Sequence, residues 1–600
     1  MAEIEPISGT DGAAVEPQPV TTAPAAAIGG DAGESPSAKA GRPKGLVRWG
    51  VALLTVAVMV GVVSVAAALL AAGTSTSVVQ GWLPNDTVAY LEIRADLPGD
   101  QRAKVGDLLA KFPGFADQAS LDAKIDEALE RILEGSGVSW TTDIKPWLGG
   151  EVGLAVTAVA FDLAQTPGLG SALDGPDLGM APDDGAVALI AVKDAAAATA
   201  WVSGELGGKQ TTETYAGGEI TIVSGLLKNN LAFAVRDSVM ILGPEKTVKA
   251  SLDTAGASAV ASSESFTAAR KTAPASYVAY GYVDTQAFAD AALAAAGDQA
   301  DLPAACLDAM VGKVPAWAAG SARAEDDALV FTANLETAES SSTAKDSASA
   351  IASHLPASTV AAIEVRDLGA GLVAGLESLK TTLACDPSAA STIDEVEQAL
   401  AAVGGAEALI GWAEDTAVAA TVDGTAWGGG LAATVSDEAA AASALAQVKA
   451  LLAFGGAEMG VSSREEAYGD GTLLVISLPS DEVAFGAPLP EIAATVQGGV
   501  FVLGTIDFVK AVVDTSAAES LAKDPVYERA ISLAGGDGLS DAFVDIAGIR
   551  AGIEAMIPAE EKAGYETEIK PFLVPLEAFA SVVEAPGATA VSRSVITFTK

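Results

Sequence analysis

Apolar and polar residues alternate with period two over Thr87–Ala95, the pattern of a strand with one buried face. Pro98-Gly99-Asp100 follows as a turn, with Asp100 placed to cap a helix in which Leu108, Leu109 and Phe112 recur at helical spacing. Leu121–Leu133 (LDAKIDEALERIL) has apolar residues at i, i+3 and i+4, which predicts an amphipathic helix. Glu151–Ala160 and Ala186–Val192 read as buried strands, Ala195–Leu206 as a helix, and Glu219–Val223, Leu231–Val235 and Val239–Leu242 as three more strands. Gly243-Pro244 breaks the run, and Glu245–Leu252 begins a helix with an acid in its first turn, where the helix dipole favours it. Strand Tyr277–Val283, helix Gln286–Ala295 and the strands Ala316–Arg323 and Ala328–Asn334 complete the pattern. Several strands follow one another with no helix long enough for a crossover, so antiparallel pairing is expected. The predicted class is α+β, with mainly antiparallel sheets backed by helices.

The pattern then starts again. Leu83–Arg94 (LPNDTVAYLEIR) returns as Leu355–Arg366 (LPASTVAAIEVR) with seven of twelve positions identical. Val239–Thr254 (VMILGPEKTVKASLDT) returns as Val500–Thr515 (VFVLGTIDFVKAVVDT) with eight identities in sixteen. Phe266 with Tyr527, and Val283-Asp284 with Val544-Asp545, keep the offset of the second pair. Collinear matches at this separation indicate tandem duplication of a large domain, since solenoid repeats are only ~20–45 residues long. The predicted organisation is an α+β repeat at 81–337, a Ser/Thr/Ala-rich linker at 338–353 and a second α+β repeat at 354–600.

One stretch fits neither copy. Val51–Ala72 is 22 residues without a charge, about 33 Å as a helix at ~1.5 Å per residue, enough for the ~30 Å hydrocarbon core of a bilayer. Its apolarity runs all round the helix, unlike a core helix, and its 48-residue lead is unlike the short basic start of a cleaved signal peptide. Residues 49–73 are therefore read as an uncleaved transmembrane anchor. Arg42, Lys44 and Arg48 precede it, which places the N-terminus in the cytoplasm and everything after Gly73 outside the membrane. Residues 1–48, rich in Ala, Pro, Gly, Ser and Thr and free of aromatic residues, are expected to be a disordered cytoplasmic tail.

Charge narrows the functional classes. The chain holds 78 acidic and 34 basic residues, and setting aside the tail's six and four leaves 72 against 30, a net charge of -42 beyond the anchor. Nucleic-acid affinity depends on phosphate contacts, so a nucleic-acid partner is excluded. One histidine and two cysteines cannot build a zinc finger, a His-rich metal site or an iron–sulfur cluster. No HExxH, GxxxxGK[ST], GxSxG or suitably placed GxGxxG occurs. Ser342-Thr343-Ala344-Lys345 matches SxxK but lies in the linker without KTG or SDN companions. His354 takes the place of Trp82 before the repeated Leu-Pro and reads as a boundary residue. Asp470, Asp537 and Asp541 lie in acidic segments without calcium-loop spacing and read as solvated turn carboxylates. The tryptophans of the exported part read as core and boundary packing. No catalytic, cofactor-binding or metal-ligating residue is assigned, and no cofactor is expected. Cys306 and Cys385 are a possible disulfide in an oxidising compartment, worth ~4 kcal/mol on the loop-entropy model, with two buried thiols as the alternative.

Leu83–Tyr90, Leu97-Pro98-Gly99-Asp100-Gln101, Phe112-Pro113-Gly114-Phe115 and Asp143–Gly150 (DIKPWLGG) together resemble bacterial envelope proteins of the domain of unknown function 3352 family. The resemblance covers most of the chain beyond the anchor and implies the same layout of tail, anchor and exported region, with no activity, ligand or site residue. In the second copy Asp367-Leu368-Gly369-Ala370-Gly371 replaces the DLPGDQ segment, so a site built on Asp100 and Gln101 would exist once. Helix capping accounts for these two without a site.

The chain is accordingly expected to be a single-pass cell-membrane protein with a non-enzymatic binding or scaffolding role outside the membrane. Its expected partners are the membrane and an envelope protein or apolar ligand. The alternatives are a carrier or sensor of a lipid-like ligand, and a hydrolase whose residues only the fold would bring together.

Overall fold

The computed structural model describes residues 77–115, 121–133, 137–158, 185–225, 230–296, 314–336, 346–383, 404–455, 460–478, 491–584 and 589–600, with 393, 398, 400–401, 483–484 and 487–488. The tail, the anchor at 49–73, Ser342–Lys345 and both Cys306 and Cys385 lie outside the described residues. Among the described residues no helix is long and apolar enough to cross a membrane.

The described chain from residue 77 onward is built on one sheet of 20 strands. The first ten are β1 (Thr87–Arg94), β2 (Leu148–Thr157), β3 (Ala186–Val192), β4 (Lys209–Tyr215), β5 (Gly218–Ser224), β6 (Leu231–Arg236), β7 (Val239–Pro244), β8 (Ala279–Val283), β9 (Ala318–Glu325) and β10 (Ala328–Glu336). The next ten are β11 (Thr359–Val365), β12 (Ala413–Asp423), β13 (Ala426–Val435), β14 (Ser462–Tyr468), β15 (Gly471–Ser477), β16 (Ile492–Gln497), β17 (Val500–Thr505), β18 (Ser540–Asp545), β19 (Leu576–Glu584) and β20 (Thr589–Phe598). The first ten lie in the order β4-β5-β6-β7-β3-β2-β1-β8-β9-β10. The second ten repeat it as β14-β15-β16-β17-β13-β12-β11-β18-β19-β20. Every pairing is antiparallel, as the absence of crossover helices predicts.

Two strands close the series. β10 pairs with β20 over nine residues, from Ala328 opposite Thr597 to Glu336 opposite Thr589, so the last strand of each copy is the other's neighbour. Side chains fasten the same seam. Lys111 donates to the carbonyl of Thr599 at 2.6 Å and pairs with Asp327 at 2.7 Å, and Phe112 meets Phe598 edge-on at 5.9 Å. The two copies thus share one continuous sheet, and Ala328 and Val330 of β10 lie in the apolar core of the second copy.

The sheet has two unlike faces. Along β1, Tyr90 and Glu92 point to one face, where the helices Glu245–Asp253 and Glu264–Thr272 cover them, with Val248, Leu252, Phe266 and Ala269 all buried. Helices Ile506–Asp514 and Pro525–Ala534 do the same for the second copy. Asp284 and Asp545 start equivalent helices in the two copies. Each accepts a backbone N–H three residues on at 2.8 Å, the N-cap that offsets an orphan donor. On the other face, helices Gln101–Leu109, Leu121–Ile132 and Ala195–Glu205 cover one end of the first copy, against Ala188, Ile190 and Val192 of β3.

Most predicted elements fall within a few residues of their expected bounds, and Ala186–Val192 coincides with its own. Two were missed. β4 (KQTTETY) is an edge strand with nearly every side chain in solvent, so no hydrophobic period marks it, and its Lys and Glu residues suit an unpaired edge. The helix Glu264–Thr272 buries only Phe266 and Ala269, too few apolar positions for a period. Asp100 lies at a helix start, but its side chain makes no capping bond and pairs with Lys104 at 3.2 Å. Gln101 is buried and braces the end of β9: its amide donates to the carbonyl of Ala324 at 3.1 Å and accepts from Ala324 N–H at 2.8 Å.

Candidate functional site

Two features stand out once the faces are defined, one polar and one apolar. The polar one lies on the helix-covered face, where Glu92 and Arg94 of β1 are 0% and 1% exposed. A buried charge is tolerable only when it is paired and hydrogen-bonded. Arg94 grips Asp96 through two bonds, Nε to Oδ1 at 2.8 Å and Nη2 to Oδ2 at 2.7 Å, and Glu92 lies 3.6 Å from its Nη1. The Glu92 carboxylate accepts from Tyr277 at 2.7 Å, Tyr90 at 2.8 Å and the Gln80 amide at 2.7 Å. Glu151 of β2 stands opposite Arg94 and accepts from the Ser77 hydroxyl and from Val78 N–H, the latter at 2.9 Å. Burial first, and then the nearby Glu92 charge, push the Glu151 carboxyl up to about 7.

The second copy repeats the arrangement at the matching register. Arg366 donates to Asp541, lies 3.5 Å from Glu364 and 3.9 Å from Asp415, and donates from Nε to the Ser347 carbonyl at 3.4 Å. Tyr527 donates to Glu364 at 3.3 Å, and burial pushes that carboxyl up to about 7. Asp415 stands where Glu151 does, and accepts from Ala350 N–H at 2.8 Å as Glu151 accepts from Val78. In both copies, therefore, the segment leading into the first strand is tied to the buried acids. Ser347 and Ala350, which the sequence assigns to the linker, are bound in this way to Arg366 and Asp415, and Ile351 and Ala352 belong to the core. Gly81 lets the first of these segments lie against residue 256, since a Cβ there would stand 2.4 Å from the Gly256 carbonyl oxygen.

Sequence reading placed Asp541 among solvated turn acids. It is 4% exposed, on β18, and bonded to Arg366. The repeated Glu-x-Arg was the available signal, since two charges one strand-period apart share one face of the strand, but that this face is the buried one is decided by the packing. Among the described residues no group of three or more His, Cys, Asp or Glu is placed to hold a metal ion. His354 sits beside the second lead-in segment, partly buried, and burial alone lowers its pKa. Trp82, Trp140, Trp147, Trp317 and Trp412 are buried, as expected of packing residues, while Trp427 is 42% exposed.

The apolar feature lies on the opposite face. A groove of about 590 Å³ crosses β2, β1, β8, β9, β10, β20 and β19, passing over the seam between the copies. Leu91, Leu154, Val283, Leu335 and Ala333 line it, Ser592 contributes a hydroxyl, and among the described residues no charged side chain lines it. Its floor is made by Gly281 and Gly320, which stand opposite each other on β8 and β9. Neither has a positive φ, so the backbone does not call for glycine. Nor does packing call for it. A Cβ on Gly281 would lie 3.8 Å from its nearest neighbour, the Tyr90 carbonyl oxygen, and one on Gly320 would lie 3.6 Å from that of Thr332. What the two glycines provide is depth. Glycine inside a strand weakens it and often marks a place where another molecule comes close. Sequence reading had no means to pair Gly281 with Gly320, which are 39 residues apart, before the register was known.

The class defined by this fold and these features is a duplicated antiparallel α+β protein with a buried charge pair in each copy and an uncharged groove across their junction. The chain belongs to the family described as "Protein of unknown function (DUF3352)", whose profile matches residues 49–591. No curated protein matches it. Two solved structures are similar at 11% identity: crystal form I of TP0453 (45% of this chain, 82% of that one, TM-score 0.22) and crystal form III (45% and 84%, TM-score 0.21). Scores this low transfer no feature to this chain.

Proposed function

We propose that this protein is a non-enzymatic binding module, held outside the membrane by a single anchor, whose ligand is an apolar, lipid-like molecule. The groove over Gly281 and Gly320 carries the reading. Its volume of about 590 Å³ falls within the ~300–1,000 Å³ usual for ligand pockets, and its lining is uncharged. The placement is supported by the uncharged run Val51–Ala72 behind Arg42, Lys44 and Arg48. The buried acids do not favour a hydrolase. Besides tyrosines, an arginine and backbone N–H groups, Glu151 accepts from the Ser77 hydroxyl, but Glu92, Glu151 and Glu364 are 0%, 3% and 1% exposed, which leaves a substrate no access to these carboxyls.

The test is mass spectrometry of solvent extracts from the full-length protein, purified from its own membrane through exchange into a detergent foreign to the cell. About one apolar molecule per chain, reduced by Leu91→Asp in the groove, is the expected result. Chains without such a molecule, or one equally abundant in the variant, would refute the reading.

A further inference from the structure

We infer that the groove seats one linear hydrocarbon tail, belonging to a single-tailed lipid, laid across the strands on the Gly281–Gly320 pair. This rests on the reading of the groove as a ligand site and goes on to name the ligand's shape. The register gives that shape. Leu154, Leu91, Gly281, Gly320, Ala333 and Ser592 stand opposite one another in turn, and Ser592 stands opposite Val583, so they form one straight row across seven strands. At ~4.8 Å between strands the row is about 29 Å long. One leaflet of a bilayer is about half of the ~30 Å hydrocarbon core, so the row exceeds the length of a complete lipid tail.

Width selects a single tail. The next same-face rows lie two residues away along each strand, about 7 Å to either side. They carry Val283 and Leu335 on one side and Phe331 on the other, with Leu335 and Phe331 each 39% exposed. These side chains stand as low walls beside a floor that has no side chain at its centre. A second tail has no equivalent floor: the positions matching Gly281 and Gly320 in the other copy are Ala542 and Ser581, and Ser581 accepts a hydrogen bond from Ser594 at 2.9 Å. The lining offers almost no hydrogen-bonding groups, which suits methylenes and penalises a polar ligand. The row also continues across β10 and β20, so an occupant would touch both copies at once.

The test uses the full-length protein in phosphatidylcholine vesicles with three separate photoprobes: palmitic acid with a mid-chain diazirine, a diazirine-bearing sterol, and a two-tailed phosphatidylcholine with the diazirine in one tail. Palmitate crosslinks are expected on peptides carrying Leu91, Val283 and Leu335. Gly281→Val and the milder Gly320→Ala should reduce them at least fivefold and twofold, while Ala542→Val in the other copy leaves them unchanged. Unfolding temperatures identify any variant that has lost its fold, and Gly320→Ala keeps the test valid if Gly281→Val does not fold. Groove labelling by the sterol or the two-tailed lipid but not by palmitate overturns the single tail and leaves the apolar-ligand reading standing. Palmitate labelling unaffected by either glycine variant overturns the seat. No groove labelling by any probe overturns both readings.

Discussion

The two copies share a strand order and a buried Glu-x-Arg, yet they satisfy that pair with different residues. In the first copy the second acid is Asp96, two residues beyond Arg94 on the same chain segment. In the second it is Asp541, on β18, at the position opposite Glu364 that Tyr280 holds opposite Glu92. The tyrosine bonded to the glutamate changes too. Tyr277 and Tyr90 serve Glu92, while Tyr527, at the position of Phe266, serves Glu364. What is kept is the requirement that a buried guanidinium and carboxylate be paired and hydrogen-bonded, and the sheet offers several positions from which that can be done. The faces opposite the helices differ more. Leu91 and Leu154 line the groove of the first copy, whereas their counterparts Ile363 and Val418 are 62% and 59% exposed. Thirteen of the 17 large apolar side chains exposed among the described residues belong to the second copy, so the first covers its apolar surface much more fully.

The comparison is broken most strongly at the arginines. Arg94→Met and Arg366→Met each strand buried acids without their cation, and each should cost about 3–5 kcal/mol in urea unfolding. Similar losses are expected in both copies, despite their different partners. A loss confined to one would show that the other pair is not structurally needed.

The acids give the next largest effect. Glu151 and Glu364 have folded pKa values raised from 4.5 to about 7, so the folded state holds their protons more tightly than the unfolded chain does. Their contribution to stability is fully present below pH ~4.5 and is lost as the pH rises through ~7, on the order of 2–3 kcal/mol for each copy. Stability measured from pH 5 to pH 8 should therefore fall. Glu151→Gln and Glu364→Gln should each remove about half of the slope, and the double variant most of it. A slope unchanged in the double variant would place the titration elsewhere.

A finer contrast lies within the first copy. Tyr277→Phe removes a hydroxyl that donates to Glu92 and should cost about 1–2 kcal/mol. Tyr280 is as deeply buried, but its hydroxyl has no partner, so Tyr280→Phe should be neutral or slightly stabilising. Thermal unfolding of the two variants side by side distinguishes them. Equal losses would mean that volume, not hydrogen bonding, governs this face. The smallest effect belongs to the seam. Lys111→Ala loses an ion pair to Asp327 and a bond to Thr599 at partly exposed positions, and should cost no more than about 0.5–1 kcal/mol. A loss of several kcal/mol would show that the copies depend on this staple more than on their nine-residue strand pair.

Alternation and helical spacing located most strands and helices, because a half-buried strand must show a period of two and a packed helix a period of 3.6. They failed at β4, where both faces meet water, and at the helix Glu264–Thr272, which buries only two side chains. The repeated Leu-Pro and Glu-x-Arg segments were legible as a repeat. Their role was not, because the acids that complete each cluster come from segments far apart in the chain: Glu151 and the lead-in at residue 77 in one copy, Asp541 and Asp415 in the other.

By itself the sequence determined the α+β class, the antiparallel pairing, the repetition and the sign of the charge, since each follows from local patterning or from counting. The tertiary structure decided the rest. It joined two copies into one sheet through β10 and β20, turned three ordinary acids into a buried cluster around each arginine, and set two distant glycines side by side under an uncharged groove. These are properties of register. A shift of one residue along a strand would send every side chain to the opposite face, and only packing across the whole sheet fixes which face each one takes.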